Sequence, residues 1–192
     1  MKHIYDAAYM QNGNTSHVIV TATKPEGQPA WDCHVCSLLI SVAVFTKHDN
    51  QWILASKQLY LADLGEFGKP PNVNLTTLGK NQFGLLIKED ISGSGYGTIA
   101  YVFSTEEEMP QLFMAQTDAH FDLIKPCCEI NWECAEYTGG IKFEPNSDSD
   151  YFDILLSRNV SVSTSRTIYK GKYVTRFKYM NGKFLATQLI SK

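Results

Sequence analysis

One local pattern recurs in this chain and constrains its fold more than any other feature. An apolar run ends in a short turn built on Asn or Asp, and an aromatic residue helps open the next apolar run. It occurs at Val44-Phe45-Thr46 to Asn50-Gln51-Trp52-Ile53-Leu54, and again at Leu75-Thr76-Thr77-Leu78 to Asn81-Gln82-Phe83-Gly84-Leu85-Leu86-Ile87. The third instance runs from Phe177-Lys178-Tyr179 to Asn181-Gly182-Lys183-Phe184-Leu185. A tight hairpin turn needs residues that tolerate positive φ, which Asn, Asp and Gly do at least cost. Asn181-Gly182 is the strongest form of that signal. Hairpins spread this widely predict an all-β chain.

The segments between them agree. Ser16 to Ala22 alternates and is rich in β-branched residues, as a half-buried strand should be. Leu38 to Phe45 is an apolar run of strand length, and Lys47 to Asn50 turns it into Trp52-Ile53-Leu54-Ala55. Gly65 to Pro71 is punctuated by Gly and Pro and continues neither strand nor helix. Gly93-Ser94-Gly95-Tyr96-Gly97 lies between the predicted strands Phe83–Lys88 and Thr98–Phe103. A Gly-rich loop cradles phosphate when a helix follows it, and here a strand follows, so the segment reads as a wide turn or bulge. Helix is expected only as a single turn over Thr105 to Met109, before Pro110. Pro145 to Asp150 is polar but too short to separate two cores. The expected architecture is one antiparallel β domain over residues 1–192, sandwich-like or partial-propeller-like, built from successive hairpins. A domain of this length buries roughly 70% of its unfolded surface, so it needs neither disulfide nor metal to own a core.

Seventeen basic against twenty acidic residues give a net charge of −3, a balance that does not steer a chain to nucleic acid or to an anionic membrane. No window approaches the ~18 consecutive apolar residues of a membrane span. Met1-Lys2-His3-Ile4-Tyr5-Asp6 carries charge with no apolar h-region behind it. That suits a cytoplasmic chain, or an exported one whose leader is replaced by an initiator Met.

Five cysteines favour the second alternative. Cys33 and Cys36 form a Cys-x-x-Cys, and Cys127, Cys128 and Cys134 form a second cluster. Tight clusters point to pairing or to metal. Redox use of Cys-x-x-Cys needs a helix N-terminus to hold the thiolate, and strand-forming residues follow Cys36. Adjacent Cys127 and Cys128 are awkward joint ligands of one tetrahedral zinc. Structural disulfides are the favoured reading, ahead of inert thiols, zinc and redox chemistry. In the acidic segment, Asn146, Asp148, Asp150 and Asp153 space their oxygens as a calcium loop does. Tyr151 and Ser157 stand where an EF-hand wants Gly and Glu, so the segment reads first as a solvated turn. The histidines His3, His17, His34, His48 and His120 are scattered, and no Gly-x-Ser-x-Gly elbow occurs. On a strand, His120 would share one face with Asp118 and Asp122. No catalytic residue and no cofactor are assigned, calcium and zinc being the weak candidates.

Ser149-Asp150-Tyr151-Phe152-Asp153-Ile154-Leu155-Leu156, followed by Thr175-Arg176-Phe177-Lys178-Tyr179-Met180-Asn181-Gly182-Lys183-Phe184, resembles the FG-GAP or VCBS-like repeat unit. His34-Val35-Cys36-Ser37, leading to Val42-Ala43-Val44-Phe45 and Trp52, is similar to a segment of uncharacterised Gram-negative periplasmic proteins. The resemblance implies an extracytoplasmic β-domain, periplasmic or secreted, and carries no catalytic residues. Tyr151, where that repeat's calcium loop usually has Gly, departs from the pattern.

The expected function is therefore protein binding or inhibition, an immunity protein against a bacterial toxin being one form of it. A zinc- or thiol-dependent enzyme or redox sensor is the alternative, and an envelope accessory role is the third. Anchors for a protein partner are sought among aromatics in or near predicted loops: Trp31, Phe67, Tyr96, Trp132 and Tyr137, with Tyr5 and Tyr9 beside them. The oligomeric state is left open.

Overall fold

The computed structural model describes residues 1–27, 36–92, 95–122, 134–163 and 167–191, and these contain strands and turns but no helix. Four strands, β1 (Lys2–Gln11), β2 (Asn14–Thr23), β3 (Leu38–His48) and β4 (Gln51–Leu64), form one antiparallel sheet in chain order. The other strands are β5 (Asn72–Gly79), β6 (Gln82–Ser92), β7 (Gly95–Ser104), β8 (Gln111–Asp122), β9 (Cys134–Glu144), β10 (Asp153–Ser163), β11 (Ile168–Met180) and β12 (Lys183–Ser191). They form an eight-stranded sheet, again in chain order, so the expected all-β architecture of successive hairpins is the one observed.

The turn residues explain the order. Asn12 and Gly13, Asp49 and Asn50, Asn81, and Asn181 and Gly182 all have φ between 45° and 81°. Each pair of tips closes a two-residue turn, as in Gln11 opposite Asn14 and Met180 opposite Lys183. Left-handed backbone at both turn positions matches the twist of the flanking strands. The segment Thr105 to Met109 uses the same conformation to a different end. Glu108 and Met109 have φ of 64° and 41°, which stops the expected helical turn, and Met109 N–H closes a tight turn onto the Glu106 carbonyl at 3.0 Å. Met109 is buried there.

The described residues fall into two compact units. The first comprises residues 1–89 and 101–113, the second residues 90–100 and 114–192, so β6, β7 and β8 contribute to both. In the first unit, β2 and β3 alternate between buried and half-buried positions. The buried set, including Val18, Val20, Ile40, Val42 and Val44, packs with Leu85, Ile87, Phe103 and Met109. Each such aliphatic side chain contributes about 1.5–3 kcal/mol on burial. Glu89 ties the Gly65–Pro71 loop to this core: it accepts the Gly65 N–H at 2.7 Å and the Tyr101 hydroxyl at 3.1 Å. Burial, reinforced by the Glu89 charge, pushes the Tyr101 phenol up to about 12. In the second unit, Ile154 and Leu156 of β10 are fully buried. At that end Tyr151 and Tyr179 stack at 3.8 Å, and Phe184 meets both rings edge-on.

Close backbone approach sets one testable limit. A Cβ on Gly84 in β6 would meet the Phe103 carbonyl oxygen and the Leu78 side chain. Gly84→Ala should cost roughly 1–3 kcal/mol by overpacking. Urea unfolding monitored by tyrosine and tryptophan fluorescence checks this, and an unchanged midpoint would show that the strands give way freely.

Candidate functional site

Two surfaces carry more chemistry than a sheet exterior requires. The first is the face of the four-stranded sheet opposite the core. Register places Ala8, His17, Phe45 and Leu54 in one row across β1 to β4, with Trp52 opposite Lys47 beside it. Ile19, Leu39 and Ala43 share this face, since they alternate with the buried set. Antiparallel sheets usually turn polar residues outward, and this one sets apolar residues among His17, Ser41 and Lys47. At the β1 edge, Asp6 Oδ2 lies 2.9 Å from His17 Nε2, and Asp6 Oδ1 lies 3.0 Å from His3 Nε2. The His17 ring also meets Trp52, at 5.8 Å between centroids. The hydrogen bond from His17, with the charges of both histidines, holds the Asp6 carboxyl below its usual value against the desolvation that opposes it.

One edge of this sheet is β4, and it is bulged. Between the pairs Ile40–Ala62 and Val42–Gln58, three β4 residues, Leu59, Tyr60 and Leu61, oppose Ser41 alone. The Ser41 hydroxyl donates to the Leu59 carbonyl across the bulge. Ala55 is a second extra residue, between the pairs Val44–Ser56 and Phe45–Leu54. Bulges of this kind bend an edge strand and spoil it as a template for further pairing. They also push side chains out: Leu59 is 64% exposed and Tyr60 67%.

The second surface is a face of β7 to β11 in the second unit. Thr138, Asn159 and Lys172 form one cross-strand row, and Glu136, Ser161 and Lys170 the next. They line an open groove of about 490 Å³. His120 of β8 lies beside it, with Nδ1 3.4 Å from Glu136 Oε2. The Tyr96 ring stacks on His120 at 4.9 Å and 9°.

Sequence reasoning placed some of these residues and missed others. Tyr96 and Tyr137, sought in loops, are strand residues of β7 and β9, and they lie on opposite faces because Tyr137 adjoins Glu136. Tyr137 is half-buried, with the Arg158 guanidinium 5.0 Å over its ring, and burial raises its phenol. Tyr5 and Tyr9 are likewise strand residues, and Tyr9 is in the core. Phe67 is half-buried at a left-handed turn position in the Gly65–Lys69 loop. Trp31, Trp132, Cys33, Cys127 and Cys128 lie outside the described residues, and Cys134 opens β9 with only its backbone described. Cys36 is buried, its carbonyl accepting the Gly68 N–H at 3.0 Å. His120 meets Glu136 of β9 rather than Asp118, whose carboxylate accepts the Gly139 N–H at 2.9 Å and the Thr117 hydroxyl at 3.0 Å. The Leu59–Tyr60 projection was not anticipated, although Leu59-Tyr60-Leu61 breaks strand alternation and so signals a bulge.

The acidic segment is organised around a guanidinium. Asp153, 3% exposed, accepts Asn146 Nδ2 at 2.8 Å and Arg176 Nη1 at 2.7 Å. Arg176 Nη2 reaches Glu144 at 2.8 Å, and these two carboxylates raise the Arg176 pKa. Asn146 Oδ1 accepts the Asp148 N–H at 2.9 Å, making the turn, and Asp150 is exposed beyond it. Among the described residues no group of three or more His, Cys, Asp or Glu side chains is placed to hold a metal ion.

No protein-family model, curated protein or solved structure matches the chain.

Removing the guanidinium leaves a buried carboxylate without its cation. Arg176→Gln should lose about 3 kcal/mol in denaturant unfolding, the low end for breaking a buried pair because Arg176 is partly exposed. A loss under about 1 kcal/mol, the worth of a surface pair, would show the network to be incidental. At the other site, the Asp6 pKa is depressed on folding, so its contribution is present above 3.8 and fades as pH falls through the folded value. His17→Ala should move the Asp6 carboxyl titration, followed by NMR, back up toward 3.8, and an unmoved titration would break the assigned cause.

Proposed function

We propose that this chain is a non-catalytic, inhibitor-type protein-binding module acting outside the cytoplasm, and that its partner seats on β4 and the adjoining outer face. The carrying observation is the bulge that holds Leu59 and Tyr60 more than half exposed at a sheet edge. Tyrosine is enriched among the few residues that dominate binding energies. Contiguous apolar surface on a soluble domain commonly marks an interaction site. Because the bulges spoil backbone pairing, recognition runs through projecting side chains, with Trp52 and Leu54 as further apolar contacts.

The extracytoplasmic setting rests on sulfur chemistry and on the resemblance described above. Cys36 is buried, and pairing of it with a second cysteine would suit an oxidising compartment. An immunity protein that blocks a secreted toxin is the form of inhibitor this setting favours. Elemental analysis and thiol counting separate this from a zinc or thiol enzyme, which would show bound zinc or a reactive low-pKa thiol.

Calorimetry against the products of neighbouring genes tests the proposal. A partner found in this way should bind Leu59→Asp/Tyr60→Asp at least 30-fold more weakly, the loss of about 2 kcal/mol that defines a hot spot. Circular dichroism should be unchanged, since both side chains project into solvent. Equal affinity of the variant, or no binding by any neighbour's product, would overturn it.

A further inference from the structure

We propose that the face of β7 to β11, with its groove over β9 to β11, binds an acidic polysaccharide of the uronic-acid type, independently of the β4 surface. Three kinds of group lie along this face in the order such a polymer needs. Lys170 and Lys172 stand two residues apart on β11 and form no ion pair among the described residues, whereas Arg176 further along the same face is neutralised by Asp153 and Glu144. The pair offers a cationic end to carboxylates. Thr138, Asn159 and Ser161 form the floor, with two hydroxyls and a carboxamide that both donate and accept, matching the dual character of sugar hydroxyls. Glu136 accepts hydroxyl protons beside them. At the far end Tyr96, 64% exposed and backed by His120, presents an aromatic surface to the C–H face of a pyranose ring.

Geometry favours a polymer over a small ligand. Four inter-strand steps separate β7 from β11, a path of roughly 19 Å. The groove is open rather than enclosed, so a long chain can lie across the strands. An extended peptide would be expected to add to a sheet edge, and this groove is on a face.

Isothermal titration of the full chain with oligogalacturonates of defined length tests this, with maltooligosaccharides and poly-glutamate as comparison ligands. Oligogalacturonate should bind at least tenfold more tightly than either. Its affinity should fall with added salt, fall tenfold or more in Lys170→Gln/Lys172→Gln, and fall several-fold in Tyr96→Ala. Leu59→Asp/Tyr60→Asp should bind it as the parent does, which separates this site from the β4 surface. No binding, or equal binding of the neutral sugar, would overturn the proposal. Poly-glutamate binding as well as oligogalacturonate would reduce it to carboxylate attraction and overturn the sugar assignment, as would unchanged affinity in both groove variants.

Discussion

The antiparallel ladder between chain neighbours is the interaction on which the rest of this molecule depends. Within each sheet, every strand pairs with its neighbours in sequence. The ladder is set where left-handed turn residues are set, at Asn12-Gly13, Asp49-Asn50, Asn81 and Asn181-Gly182. Because side chains alternate with a period of two, a turn that fixes register also decides which residues face the core. The left-handed conformation is cheap for Asn, Asp and Gly and costly for β-branched residues, so turn chemistry and burial pattern are chosen together.

That coupling gives each sheet a second face with its own chemistry. In the four-stranded sheet, the alternation that buries Val18, Ile40 and Val44 must expose Ile19, Ala43 and Phe45 in part. An apolar exterior there invites association, and the edge beside it would invite strand addition. The β4 bulges answer the second hazard by distorting the ladder, and in doing so they project Leu59 and Tyr60. A device that protects the edge thus creates an anchor.

Much of the fold was legible from short-range signals. The pattern of apolar run, Asn or Asp turn and aromatic located three hairpins because turn residues and strand residues adjoin in sequence. Asn12-Gly13 carries the same dipeptide, but no aromatic opens β2, and the pattern passes over it. Strand lengths were less legible: β4 continues to Leu64 through Lys57, which is exposed, and Gln58, which is half-buried opposite Val42 at the sheet edge. The sites were the hardest to read, because they are cross-strand. Glu136 lies 16 residues from His120 and Arg176 lies 23 from Asp153, so only register brings them together. The calcium-like spacing of Asn146, Asp148, Asp150 and Asp153 was real as spacing, yet the cation it serves at Asp153 is Arg176.

Register also explains why surfaces built on strands can be specific without deep pockets. Rows of side chains on a ladder are held by backbone bonds on both sides, so spacing between functional groups varies less than it would on loops. In β11, Lys170 and Lys172 alternate with Tyr169, Gly171 and Tyr173. A one-residue slip of that strand would swap the cationic row for an aromatic one on the groove face. Ten consecutive pairs between β10 and β11 resist the slip, and Arg176 pins the strand at its far end by reaching Asp153 on β10 and Glu144 on β9. The ion-pair network therefore acts at a distance, by keeping Lys170 and Lys172 on the side of the sheet where Ser161, Thr138 and Glu136 stand.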